Sequence, residues 1–169
     1  MPDAPRPRLV ISNATPIIAL ALIGQLDLLQ KLYGQVIIPP AVEVEILAGG
    51  QRAGATELPK AAYILTTPLL DPRRADLLSD LDRGEAEVLA LAQERQADLV
   101  IMDERLGRRH ARRLGFTLTG VLGVLLRAKQ QNHVGPIHPL ITQLQQGGIR
   151  LSDPLIERVL ELAGEGRDD

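Results

Sequence analysis

The residues best suited to chemistry lie in one segment, Ala97 to Arg113, with the sequence ADLVIMDERLGRRHARR. Leu99–Met102 is a short apolar run bounded by charge, the pattern of a strand buried on both faces of a parallel sheet. Asp103 and Glu104 follow at its carboxyl end. Arg105, Arg108, Arg109, Arg112 and Arg113 come next, at helical spacing. In an open α/β sheet the carboxyl ends of the strands face the ligand crevice. A carboxylate placed there, with cationic side chains beside it, suits an anionic substrate such as a nucleic-acid backbone. A structural reading stands next to the functional one. Asp103 can cap the following helix, and the arginines can form its solvated face.

Three more oxygen-bearing side chains fall where the same crevice would lie. Asn13 follows the strand Arg8–Ser12, and right-handed crossovers bring the ends of parallel strands to one edge, so Asn13 and Asp103 should approach each other. Glu45 lies on a helix expected over Ala41–Leu47, and Glu85 in the first turn of a helix over Glu85–Gln96 opened by Gly84. Clustered carboxylates repel, and a hard divalent cation relieves that repulsion. An oxygen-only donor set without cysteine or histidine suits Mg²⁺ or Mn²⁺. Glu43 and Glu87 are weaker neighbours of the same type. His110, His133 and His138 have no zinc-like spacing and are expected on the surface or in loops.

The elements that must position these groups alternate between short strands and helices over 169 residues, the length of one domain. Strands are expected at Arg8–Ser12, Val36–Ile38, Tyr63–Thr66 (an edge), Leu99–Met102 and Phe116–Leu118. Besides the two helices above, others are expected at Ile17–Leu22 with Pro16 at its first position, Leu26–Tyr33, Pro72–Leu81, the arginine segment, Thr119–Gln131 with a threonine cap, Pro139–Gln146 and Pro154–Ala163. Residues 49–60 read as loop, and residues 1–7 and 164–169 as frayed ends of a single domain spanning 1–169. Aromatic residues make up only 2% of the chain, so the core must be aliphatic and base-stacking platforms of aromatics are excluded. The net charge of −2 excludes a polycation, so nucleic-acid contact must come from a local patch. The chain has no cysteine, no apolar signal core and no run long enough to cross a membrane, which together point to a cytoplasmic protein.

Three stretches, SNATPIIALALIG, VIIPPAVEVEIL and DRGEAEVLALAQERQADLVIMDERLGRRHARRLGFTLTGVLGVLLRAK, resemble the PIN-like nucleic-acid-binding family of bacteria, a relative of VapC-type toxin ribonucleases. The likeness runs on through GGIRLSDPLIERVLELAGE and so covers nearly the whole chain. It implies a PIN-like three-layer α/β/α sandwich around a mainly parallel sheet, and Mg²⁺- or Mn²⁺-dependent cleavage of RNA. Carried over by position, the acidic set falls on Asn13, Glu45, Glu85 and Asp103. Thr15 is the hydroxyl residue beside the first position and Glu104 a possible fifth member, with Arg105, Arg108, Arg109 and Arg112 on the RNA backbone. The resemblance also implies a toxin-like role with an antitoxin partner, and a homodimer. One departure stands out: Asn13 occupies a place where PIN nucleases carry aspartate. Asparagine offers a metal one carbonyl oxygen and no charge. The alternative function is therefore a catalytically weakened PIN scaffold that binds RNA or another protein.

Overall fold

A computed structural model describes residues 8–166. The triplets VIS, VII and LVI, apolar but for Ser12, are buried at every position and form β1 (Val10–Ser12), β2 (Val36–Ile38) and β4 (Leu99–Ile101). With β3 (Ile64–Thr66) and β5 (Leu118–Thr119) they build a five-stranded, all-parallel sheet in the order β3-β2-β1-β4-β5. Ile11 pairs with Ile37 on one side and with Val100 on the other. The strand order reverses at β1, so the crevice outside the ends of β1 and β4 is the topological switch point, where open α/β sheets bind ligands.

The helices are α1 (Ala14–Leu22), α2 (Leu28–Tyr33), α3 (Pro40–Leu47), α4 (Arg73–Asp76), α5 (Arg83–Arg95), α6 (Arg105–Arg113), α7 (Val121–Gln130), α8 (His138–Gln146) and α9 (Asp153–Leu162). Helices α3, α4 and α6 pack against α5, and α1, α2 and α9 against α7, as in an α/β/α sandwich. The most deeply buried helix is α5, in which every residue from Gly84 to Ala92 is buried. The core is aliphatic, as the composition requires: Tyr33, Tyr63 and Phe116 are only half-buried at its rim. Among the described residues no helix is long and apolar enough to cross a membrane.

Several boundaries differ from the sequence reading: β1 begins at Val10, α2 at Leu28 and β5 at Leu118, and a 3₁₀ turn, Leu58–Lys60, lies within the expected loop 49–60. Four further differences have identifiable causes. The first helix begins at Ala14, not Ile17, so Pro16 sits inside its first turn. A proline is tolerated there because the first N–H groups of a helix have no internal partner. Helix α5 begins two residues earlier than expected, because Asp82 and Glu85 form a reciprocal capping box. The expected helix Pro72–Leu81 shrinks to Arg73–Asp76: Asp80 turns out to bond His110 Nε2 at 2.8 Å, and Leu81 turns into the core. That contact also places His110 half-buried on α6 instead of in a loop. Finally, Thr119 belongs to β5 and does not cap α7, whose first turn is capped from β4 instead.

The N-terminal arm, residues 1–7, and residues 167–169 lie outside the described residues. Of the expected frayed tail, Glu165 is held in place. Its carboxylate accepts from Lys129 Nζ at 2.7 Å and from the backbone N–H groups of Ile137 and His138 at 2.9 and 3.0 Å, fixing the start of α8.

Candidate metal centre

At the end of β1, Asn13 stands at the N-terminal cap position of α1 in extended conformation without a capping side-chain bond, and its backbone N–H donates to Ile101 O of β4 at 2.9 Å. That pairing brings the two strand ends together. Asn13 is only 3% exposed. Its Nδ2 donates to Glu104 Oε2 at 3.0 Å, and Thr15, in the first turn of α1, donates through Oγ1 to Glu104 Oε1 at 2.5 Å. Both oxygens of Glu104 are thus oriented from β1–α1. Asn13 Oδ1 is buried and has no hydrogen-bond partner. An orphaned buried carbonyl is costly and uncommon in a native fold, and an unplaced ion is one of its standard explanations.

A second wall comes from the start of α5. A Cβ placed on Gly84 would lie 3.0 Å from Glu45 Oε2, 3.5 Å from Asn13 Oδ1 and 3.5 Å from Asp82 Oδ1. Three oxygens from three elements therefore converge on the space that glycine leaves open. Glu85 is buried, its Oε2 accepting from Asp82 N at 3.2 Å while Asp82 Oδ1 accepts from Glu85 N at 2.8 Å. Burial, then the neighbouring Asp82 and Glu104, push the Glu45 carboxyl up from its ordinary range. The Glu85 carboxyl is raised too, by burial and then by Asp82, against the hydrogen bond from Asp82 N. Burial is the larger cause of both shifts, and the repulsion among the gathered carboxylates adds to it. Among the described residues no three Asp, Glu or His side chains stand as a closed metal-binding group. The donor set still fits a hard cation: it is all oxygen, and Asn13 Oδ1 lacks a partner.

Asp103 lines the crevice beside Glu104 and also makes a structural contact. Its two oxygens accept from Val121 N at 3.1 and 3.2 Å, closing the start of α7. Gly120 is required beside it, because a Cβ there would overlap Asp103 Oδ1. Burial raises the Asp103 carboxyl to about 6, outweighing the Val121 N–H and the Arg108 guanidinium, which favour the charge. The folded protein therefore holds this proton in mild acid where the unfolded chain has lost it, and stability falls as pH rises through about 6. Asp103→Asn should remove that part of the pH dependence. Relative to wild type, the variant is expected to be more stable at neutral pH than at about pH 4, by at most about 3 kcal/mol. Urea titrations across that range check it; parallel stability curves for the two proteins would contradict it.

The remaining acids and cations divide cleanly. Glu43 accepts from Thr66 Oγ1 of β3, and Glu87 accepts from Arg83 Nε at 2.8 Å and Ala41 N at 3.1 Å, so both tie elements together. Arg108 is half-buried and donates through Nη1 to Met102 O at 2.8 Å. Burial, then the like charge of Arg112, lower its pKa. Arg105, Arg109 and Arg112 are exposed on α6. Sequence reasoning missed Asp82, although the Asp82-x-x-Glu85 spacing is a capping-box signature that could have found it.

An oxygen-lined crevice at the switch point of an all-parallel sheet agrees with a match between this chain and a family model described as a PIN domain, over residues 9–165. The chain belongs to the PIN-domain family. The match spans every strand and helix named above. PIN membership gives the chain a nuclease-type fold and makes nucleic acid the expected class of partner. A comparison with curated proteins gives no match.

Proposed function

We propose that this PIN domain is a metal-dependent ribonuclease whose cation is held by Glu104, Glu45, Glu85 and the Oδ1 of Asn13. The observation that carries the reading is the buried, unpartnered Asn13 Oδ1 facing the gap at Gly84 beside Glu45. PIN domains generally use Mg²⁺ or Mn²⁺, which would polarise a water and offset the charge that builds on the scissile phosphate. Thr15 and Asn13 keep Glu104 turned into the crevice. Asp82 holds Glu85 at the start of α5, and Asp103 fixes α7 against the end of β4. Arg105, Arg109 and Arg112 offer the RNA backbone a cationic face.

The cytoplasmic setting rests on a cysteine-free composition that suits a reducing compartment. The toxin-like role and the antitoxin partner rest on the likeness to VapC-type proteins. A homodimer has the same support, and Val44, Leu70 and Leu77 are apolar side chains left 68%, 83% and 84% exposed, surface that a second copy would cover. The second reading, a scaffold that binds RNA without cutting it, is favoured by the uncharged Asn13 and by the open arrangement of the acids.

Melting curves with and without Mn²⁺, run beside an RNA-cleavage assay, separate the two. A ligand that binds only the folded state raises the melting temperature. Glu45 and Glu85, whose pKa values are raised, must lose their protons to bind, so the rise is expected to be larger at neutral pH than in mild acid. Cleavage that needs Mg²⁺ or Mn²⁺ supports the nuclease. No metal-induced shift at any pH, with no cleavage, removes it.

A further inference from the structure

The segment joining α8 to α9 runs beside Thr15, Asp103 and Glu104 at the edge of the crevice, and its course is fixed at both ends. A Cβ on Gly147 would overlap the Leu22 side chain, so the backbone runs directly against the end of α1. Gly148 then turns at φ +89°, which an L side chain would adopt only with strain, and Ile149 N donates to Leu144 O at 3.0 Å. At the other end Ser152 caps α9 by accepting from Leu155 N. Between these points Ile149 and Leu151 pack half-buried against the core, and Arg150 is exposed. This alternation sends Arg150 away from the two residues that anchor it.

The same segment shares a pocket of about 310 Å³ with Thr15, Asp103 and Glu104, and Arg150 is part of its wall. None of the α6 arginines lines this space. Arg108 is already committed to the Met102 carbonyl, whereas Arg150 takes part in no ion pair among the described residues. A guanidinium that shares a pocket with Glu104 but is not paired to it remains available for a second anion. Its planar fork matches two oxygens of a phosphate. Ile149 and Leu151 make the neighbouring wall apolar, which suits the flat face of a sugar or base.

We propose that Arg150 is a substrate-positioning residue. It binds the backbone phosphate next to the scissile one and so sets which bond of the strand lies over Glu104. The inference rests on the nuclease reading of the site but is tested apart from it. Binding of a short, labelled, single-stranded oligoribonucleotide is measured by anisotropy at several salt concentrations, with chelator present to keep the strand intact. Wild type is compared with Arg150→Ala, Arg150→Lys and Arg158→Ala. Arg158 lies exposed on α9 beside Glu161 and controls for net charge. Arg150→Ala is expected to weaken binding about tenfold and to flatten the log–log salt dependence by about 0.7, the share of one phosphate on a single strand. Arg150→Lys should keep the slope and recover part of the affinity, and Arg158→Ala should match wild type. Replacing one strand phosphate at a time by a neutral methylphosphonate should abolish the difference between wild type and Arg150→Ala at a single position.

Equal affinity and slope for Arg150→Ala and wild type overturn the inference, and so does an equal loss in Arg158→Ala. Cleavage assays with metal then locate the fault. If Glu104→Gln loses cleavage while Arg150→Ala matches wild type throughout, only the role of Arg150 fails. If Arg150→Ala loses binding while Glu104→Gln cuts like wild type, the metal site is wrong and the phosphate contact stands. A wild-type protein that neither binds nor cuts RNA removes both.

Discussion

Glu104→Gln is expected to abolish metal-dependent cleavage of RNA while leaving the fold intact. Loss of one partner that merely orients a metal ligand costs 10–100-fold. Loss of the charged ligand itself should cost more, on the order of a thousandfold in kcat/KM, as for removal of a preorganised charge-stabilising group. The fold should survive because glutamine has the shape of glutamate and can keep both contacts: its Oε1 accepts from Asn13 Nδ2, and its Nε2 donates to the Thr15 hydroxyl. The melting temperature without metal should stay the same or rise, since one of the mutually repelling carboxylates is gone. Asp103→Asn is the comparison that gives the result its meaning. Asp103 is the more obvious acid in the sequence and lines the same pocket, but its two oxygens share the Val121 N–H and so tie it to the start of α7. That substitution should leave cleavage within about tenfold of wild type and act on stability. The opposite outcome, with Asp103→Asn inactive and Glu104→Gln active, would reverse the assignment of the two residues.

The contrast between Asp103 and Glu104 also shows where sequence reasoning reached its limit. The sheet was legible because Val10–Ile11, Val36–Ile38 and Leu99–Ile101 are short apolar runs without alternation between helical segments, as a doubly covered parallel sheet asks. Given the sheet, the approach of Asn13 to the end of the β4 strand followed from handedness alone. How two adjacent acids divide their contacts did not follow, because those contacts are long-range. Both acids line one pocket; Thr15 and Asn13 hold Glu104, and the N-terminus of α7 holds Asp103. Thr119, chosen from sequence as the α7 cap, was displaced by the same contact. A cap supplied from another strand leaves no local trace beyond the neighbouring Gly120. Glu85 was found as an acid in a first turn, but Asp82 was passed over because it lay just outside the expected helix. Arg150 carried no signal at all. The role proposed for it depends on Gly147 and Leu22, distant in sequence, whose close contact sets the course of its segment beside Thr15 and Glu104.

Asn13→Asp should make the protein depend on its metal. Without metal the change does two harmful things at one buried place. It removes the Nδ2 donor that holds Glu104, and it sets a new negative charge against Glu104 and beside Glu45 and Asp82. An uncompensated buried charge costs about 3–5 kcal/mol, so the melting temperature should fall clearly below that of wild type. With Mn²⁺ the sign reverses, since the added carboxylate strengthens binding and ligand binding stabilises the folded state by mass action. The rise in melting temperature on adding Mn²⁺ should therefore be larger in Asn13→Asp than in wild type, and metal-dependent cleavage should increase. Equal rises in the two proteins would mean that the oxygen at position 13 faces no cation, and the orphaned Oδ1 would need another explanation. If cleavage appears only in Asn13→Asp, the wild-type chain keeps the geometry of a nuclease without enough charge to run it. The arginines of α6 and Arg150 would then serve an RNA that is held and not cut, because phosphate contacts need no metal and survive the loss of the acid at β1.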